Sequence, residues 1–295
     1  MSTSPVSRRL AITIAAVALT AVAITGCGAS DAPADASPAT SSSTATKAAA
    51  KTYAPPPTSG FVDYQLGGAY PVPAGTTVVA RDSTAKPAPG VYSICYINGF
   101  QTQPGMQKVW LKKHKNLVLH RKGKPVVDKN WPDEYILDTS TKAKRTAIAK
   151  IMIPTIASCA KKGFKAIEID NLDTFTRSAG LLKAGNNREL AKLYATAAHK
   201  AGLAIGQKNS AEYAAAWRKK VGFDFAVAEE CAVWDECGVY KETYGKRFID
   251  IEYTDDLSDA EFATACASKS RAPLMVLRDR DLQTPSSADY AYQRC

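Results

Sequence analysis

The stretch FKAIEIDNLD (Phe164–Asp173) runs five residues with apolar side chains on both faces and then gathers carboxylates at its end. A short run that is apolar on both parities is the pattern of a parallel strand covered on two sides. Ala166, Glu168 and Asp170 share one face of such a strand, and Ile167 and Ile169 share the other. An acid at the last strand position is by itself the ordinary start of a turn. Its meaning depends on whether other strands end the same way.

They do. LAIGQ ends in Lys208-Asn209, FDFAVA in Glu229-Glu230, and FIDIEYT carries Glu252 near its end. Further strand-like runs are Phe61–Leu66, Thr77–Arg81, Val91–Ile97, Leu274–Leu277 and a short candidate at Tyr135–Leu137. Helical patterns lie between several of them. One is expected over Lys144–Lys161, bent or broken at Pro154. Another is capped by Asn187 and closed by Gly202, and a third opens with a capping box, Ser258-Asp259-Ala260-Glu261. About eight strands with interleaved helices predict a (β/α)8 TIM-barrel-like single domain of the α/β class, with a doubly wound open sheet as the alternative. Both folds place chemistry at the carboxyl ends of strands. If the Ile faces pack on helices, Glu168, Asp170 and Glu252 point into the barrel or its mouth, where Lys208 can pair with them.

The amino-terminal part is different in kind. Arg8 and Arg9 precede an apolar stretch, Leu10–Ile24, too short for a membrane span, which leads into Ile24-Thr25-Gly26-Cys27. That tetrad resembles the bacterial lipobox, which implies a signal peptide over residues 1–26 and lipidation of Cys27. Residues 27–59 are dominated by Ala, Ser, Thr and Pro and are expected to form a disordered tether. The folded domain is then 60–295, exported and held on the extracellular face of the bacterial cell membrane by a lipid anchor, or secreted.

The formal net charge is +10; two units belong to Arg8 and Arg9 and the tether is neutral, so +8 falls on the domain. Much of it lies between Lys108 and Lys129, consistent with an anionic cell-surface partner or simply with a solvated face. Export and the absence of a recognisable motif argue against nucleic acid. Beyond Cys27 six cysteines remain, an even number that suggests three disulfides outside the cell. Cys231–Cys237 closes a small loop. The other four allow three pairings, of which Cys95–Cys159 with Cys266–Cys295 is expected. With no CxxC pair and three histidines, no metal and no cofactor is expected. A monomer is expected.

GFKAIEIDNLDTF, AHKAGLAIGQKN, FDFAVAEEC and IDIEYT occur in an order that resembles glycoside hydrolase family 114, the endo-α-1,4-polygalactosaminidases; VDYQLGG and CYING are similar to its earlier strands. The resemblance covers most of residues 60–255. It implies a barrel, cleavage of α-1,4-linked galactosamine-containing polysaccharide, and two catalytic acids at Asp170 and Glu229. The chain departs from the family pattern at Gln103, where a Glu is common, at Ala228, where Asn is usual, and at Asp82, where paired aspartates occur. The insert LKKHKNLVLHRKGK has no match in that pattern.

Glycosidic cleavage needs an acid to protonate the leaving oxygen and a carboxylate to attack or to activate water. Glu229, after the apolar run Phe225–Ala228, is the expected general acid, with Glu230 as its rival. Asp170 is the expected nucleophile or base. Tyr96, Asn171, Asp173, Lys208, Asn209, Glu230 and Glu252 are expected substrate contacts, and Tyr64, Trp234 and Tyr253 are candidates for stacking on sugar rings. The competing readings are an inactive carbohydrate-binding or wall-associated lipoprotein, and a glycosidase or transglycosylase of another linkage.

Overall fold

The computed structural model describes residues 53–295. The expected signal peptide, Cys27 and most of the expected tether lie outside the described residues. In chain order the elements are β1 (Phe61–Gln65), β2 (Thr76–Asp82), β3 (Tyr92–Asn98), α1 (Gln107–Lys113), β4 (His120–Arg121), β5 (Lys124–Pro125), α2 (Lys142–Lys162), β6 (Ala166–Asp170), α3 (Thr174–Arg177), α4 (Ala184–Ala201), β7 (Ala204–Lys208), α5 (Ala214–Val221), β8 (Phe225–Glu229), α6 (Cys237–Tyr244), β9 (Phe248–Tyr253), α7 (Asp259–Ala267), β10 (Leu274–Arg278) and β11 (Tyr292–Arg294).

The main sheet runs β1-β2-β3-β6-β7-β8-β9-β10-β11. Its first eight strands are parallel, and β11 pairs antiparallel to β10. A doubly wound sheet reverses its strand order at a switch point. This order never reverses, so the sheet curls into a nearly closed barrel. Its two ends meet through side chains: Arg278 donates to the Tyr64 carbonyl and lies 3.2 Å from Asp63 Oδ1, and the Tyr292 hydroxyl donates to the Val62 carbonyl at 3.2 Å.

Strand parity divides the apolar residues into two layers. Val62, Val78, Ile94, Phe225, Val227, Ile249, Ile251 and Val276 pack inside the barrel. Ile97, Ile167, Ile169 and Ile205 face outward onto Ile148, Ile156, Leu190, Tyr194 and Trp217 of the helices. Gly206 is required on β7, because a Cβ there would meet the Phe225 ring at 2.7 Å. The bonded pairs are Cys95–Cys159, Cys231–Cys237 and Cys266–Cys295, the expected set.

Four local expectations are corrected. Helix α2 is not broken at Pro154, which sits on its exposed side where water can take the freed carbonyl. Buried Ile148 and Ala149 before the proline, and Ile156 and disulfide-bonded Cys159 after it, hold both halves to one layer. Asn187 is not a cap; it lies buried inside α4, donating to the Leu172 carbonyl at 2.9 Å and to Thr174 Oγ1 at 2.8 Å. Tyr135–Leu137 forms only isolated bridges. Residues 53–59 pack on the body rather than leaving it: Tyr53 stacks on His199 with ring centroids 4.3 Å apart, and the Ala54 carbonyl accepts from Tyr92 at 2.6 Å. The capping box at Ser258 forms as expected.

Candidate active site

Asp170, Lys208 and Glu229 are the last residues of three adjacent strands, β6, β7 and β8. Their parity turns all three toward the barrel mouth. Lys208 Nζ is buried and lies 3.1 Å from Glu168 Oε1, 3.1 Å from Asp170 Oδ1 and 3.3 Å from Glu229 Oε2. The nearest oxygens of Asp170 and Glu229 are therefore no farther apart than the sum of the last two distances.

Three tyrosines complete the arrangement. Tyr96 on β3 donates to Asp170 Oδ2 at 2.5 Å, Tyr253 on β9 to Glu229 Oε1 at 2.6 Å, and Tyr64 on β1 to Glu168 Oε1 at 2.6 Å. Burial pushes the Asp170 carboxyl up, but Lys208 and the Tyr96 hydrogen bond outweigh it and hold the group below the usual carboxylate range. Burial pushes the Lys208 ammonium down, and its three carboxylate partners reverse that, so it stays charged. Burial raises Glu168 to about 7, against the pull of Lys208. Glu229 is less enclosed than its apolar strand suggests. It keeps 27 % of its side chain exposed and also accepts from Asn209 Nδ2 at 3.1 Å.

The residue after each of these strands has a left-handed backbone: Asn171 at φ 62°, Asn209 at φ 47° and Glu230 at φ 62°. This breaks strand alternation, so consecutive side chains both reach the rim. Asn171 joins Asn98, Gln101 and Arg177: it donates to Asn98 Oδ1 at 3.0 Å, and its Oδ1 accepts from Gln101 at 2.6 Å and from Arg177 at 3.0 Å. Asp173 is held by Arg177 at 2.7 Å. Glu230 is turned to Arg280 at 2.8 Å, while Arg280 covers the Tyr253 ring at 4.1 Å. Glu230 thus braces the rim, and the inward position belongs to Glu229.

Glu252 is a correction. It faces away from the barrel mouth, and the reason is parity: Ile249, Ile251 and Tyr253 are the inward set on β9, packed with Phe225 and Val227. Glu252 accepts from the Ala232 backbone at 2.7 Å and Asp250 from the Cys231 backbone at 3.2 Å, so this buried pair fastens the loop after β8 from behind. Burial, reinforced by the neighbouring Glu252, keeps Asp250 well above the usual carboxylate range. Cys231, Cys237 and Asp250 lie close together, but the two sulfurs are bonded to each other and supply no thiolate. Tyr64 and Tyr253 are buried hydrogen-bond donors rather than stacking surfaces, whereas Trp234 is exposed beside the cleft.

A cleft of about 650 Å³ opens over Asp170 and Glu229. Nine Asp and Glu side chains line it against three cations, Arg177, Lys208 and Arg280, so the mouth is acidic although the domain is basic. Gln103 lies on its rim and donates to Asp82 at 3.3 Å. Sequence reasoning missed Glu134. This carboxyl comes from the long segment between β3 and α2, accepts from Asn98 at 2.7 Å and is raised to about 7 by burial, with Asp170 adding to the rise. No periodic pattern marks it. Arg280 was within reach, since the charged cluster Arg278-Asp279-Arg280 closes β10 in the same way as the other strand ends.

A barrel whose mouth carries strand-end carboxylates on separate strands has the form of a glycosidase. A family profile, glycoside-hydrolase family GH114, matches residues 42–295. The chain belongs to this family and is a glycoside hydrolase. Among solved structures it is similar to Aspergillus fumigatus Ega3 in complex with galactosamine, with a TM-score of 0.66 at 18 % identity, covering 83 % of this chain and 98 % of that one. It is also similar to the glycoside hydrolase domain of PelA from Pseudomonas aeruginosa, with a TM-score of 0.54 at 14 % identity, covering 78 % and 99 %. At these identities the likeness speaks for the fold. No curated protein sequence matches the chain.

Proposed function

We propose that the protein cleaves a galactosamine-containing polysaccharide, α-1,4-linked, with Asp170 as nucleophile or base and Glu229 as general acid. The observation that carries the assignment is the single ammonium of Lys208 in contact with both carboxylates. It keeps Asp170 ionised and brings the two groups to opposite sides of one small gap. Their nearest oxygens lie within the sum of the two Lys208 distances, 3.1 and 3.3 Å, a bound that admits the retaining course, in which the two carboxyls stand about 5–5.5 Å apart. In that course the Asp170 carboxylate bonds to the anomeric carbon as the glycosidic C–O bond breaks and Glu229 delivers its proton to the leaving oxygen. Water then cleaves the ester, with Glu229 taking the proton back.

The acidic cleft on a basic domain supports an amine-bearing polymer, which a carboxylate-rich mouth attracts. Export and lipid attachment through Cys27 rest on the lipobox-like tetrad and the basic and apolar segments before it. The deciding experiment gives the protein defined α-1,4-galactosamine oligomers, acetylated and free, and follows products by mass and anomeric configuration. Wild type should cut the free-amine oligomers. Asp170→Asn and Glu229→Gln should each lose at least roughly a thousandfold in rate while remaining folded. Activity within tenfold of wild type in either variant would defeat the assignment. In cells, Cys27→Ser should lower the share of the protein held on the membrane.

A further inference from the structure

The segment between β3 and α2 has two unlike sides. Its inner side gives Glu134 and Trp131 to the cleft. Its outer side carries eight Lys and Arg residues between Lys108 and Lys129, every one exposed. None of them forms an ion pair among the described residues. The one acid inside this stretch, Asp128, is buried and held by Arg177 at 2.6 Å. Lys112, Lys113, Lys115 and His120 surround a shallow hollow of about 610 Å³, and His120 Nε2 there is buried without a hydrogen-bond partner.

Charge is not the only feature. Of the nine large hydrophobic side chains exposed among the described residues, three lie in this stretch away from the cleft: Met106, Val109 and Val127. Met106 sits at the N-cap of α1 and Val109 lies within it, on the helix that also carries Lys108, Lys112 and Lys113.

We infer that this outer face is a docking surface for an anionic lipid bilayer. A dissolved polyanion would engage the cations but would leave the interspersed apolar side chains in water. A bilayer surface takes both, the cations in its negative potential and the apolar groups at the acyl boundary. The contact is distinct from any attachment through the amino terminus. Tyr53 meets His199 at the end of α4, the side of the barrel away from the cleft. Cys27 precedes Tyr53 by 26 residues, on the order of 80 Å of extended chain, enough for both contacts to reach one membrane.

The test measures binding of the full chain to neutral phosphatidylcholine vesicles and to vesicles with phosphatidylglycerol added. Anything contributed by residues 1–52 is then common to all variants. Lys112→Glu/Lys113→Glu/Lys115→Glu should lower the gain from phosphatidylglycerol by roughly tenfold or more. Lys219→Glu/Lys220→Glu, a charge reversal on α5, should lower it much less. Met106→Ser/Val109→Ser should weaken binding while leaving its salt dependence in place. The proposal fails if the triple variant binds as wild type does, or if the α5 variant loses as much. It also fails if the apolar variant is unaffected, or if soluble poly(glycerol phosphate) competes as well as vesicles do, which would make the partner a polymer.

Discussion

Tyr253 donates its hydroxyl hydrogen bond to Glu229 across the gap between β9 and β8, at 2.6 Å. The ring that carries this hydroxyl lies under the Arg280 guanidinium. Glu229 is therefore oriented by a neighbour that is itself pinned. Tyr253→Phe keeps the packing and removes that bond. A side-chain hydrogen bond typically contributes about 0.5–1.5 kcal/mol, so kcat/KM should fall roughly 2- to 10-fold with a small change in Tm. Steady-state rates and a thermal melt check this; a fall under twofold would mean that the hydroxyl does not set Glu229.

Lys208 is the common partner of three carboxylates, and removing it leaves them buried together. Lys208→Met should cost on the order of 3–5 kcal/mol in stability, as breaking a buried pair does. The effect on pH dependence has a definite sign. Asp170 is held low, so its contribution to stability is present above its unfolded pKa and is lost as pH falls through the depressed folded value. Without Lys208, burial is left to raise Asp170. The acid limb of the kcat/KM profile should then move to higher pH.

Glu134 and Glu168 act in the opposite sense. Burial raises both to about 7. The native state then holds protons that the unfolded chain has released, so stability is greatest below the unfolded pKa near 4.5 and falls as pH rises to 7. Tm should decline across that window. Glu134→Gln and Glu168→Gln should each flatten the decline, and a series of melts from pH 4 to 8 measures it. An unchanged slope in both variants would refute this reading of the two groups.

The three disulfides should differ in their effect on stability. Cys95–Cys159 spans 64 residues and ties β3 to α2, Cys266–Cys295 spans 29, and Cys231–Cys237 spans 6. Loop-closure entropy gives about 4 kcal/mol for the first and about 2 kcal/mol for the last. Paired Cys→Ala variants should lose stability in that order in denaturant titrations. Intact mass should rise by six hydrogens on full reduction, two for each bridge.

The barrel was legible because its strands are short, apolar on both parities and charged at one end. Those are local signals, and they located β6, β7 and β8 within a residue or two. What failed was the choice of face on β9. In FIDIEY the isoleucines are apolar enough for either layer, and only the packing of Ile249 and Ile251 with Phe225 and Val227 decides that Asp250 and Glu252 face outward. Asn187 and Pro154 misled for a related reason: local propensity marks a helix boundary, and tertiary burial overrides it. Glu134 was invisible because it enters the cleft from an irregular segment, and no period there betrays where a side chain points.

The left-handed residues that follow β6, β7 and β8 separate two demands that usually coincide. At Asn171, Asn209 and Glu230 the backbone requires a conformation that glycine adopts freely, while the site uses the side chain. A glycine at each position would keep the turn and delete the amide or carboxyl, and a β-branched residue would strain the turn as well as delete the group. The rim can therefore be dissected one functional group at a time without moving the strands beneath it. Lineages that have exchanged chemistry at these three sites should show asparagine, aspartate or glycine there far more often than valine or isoleucine.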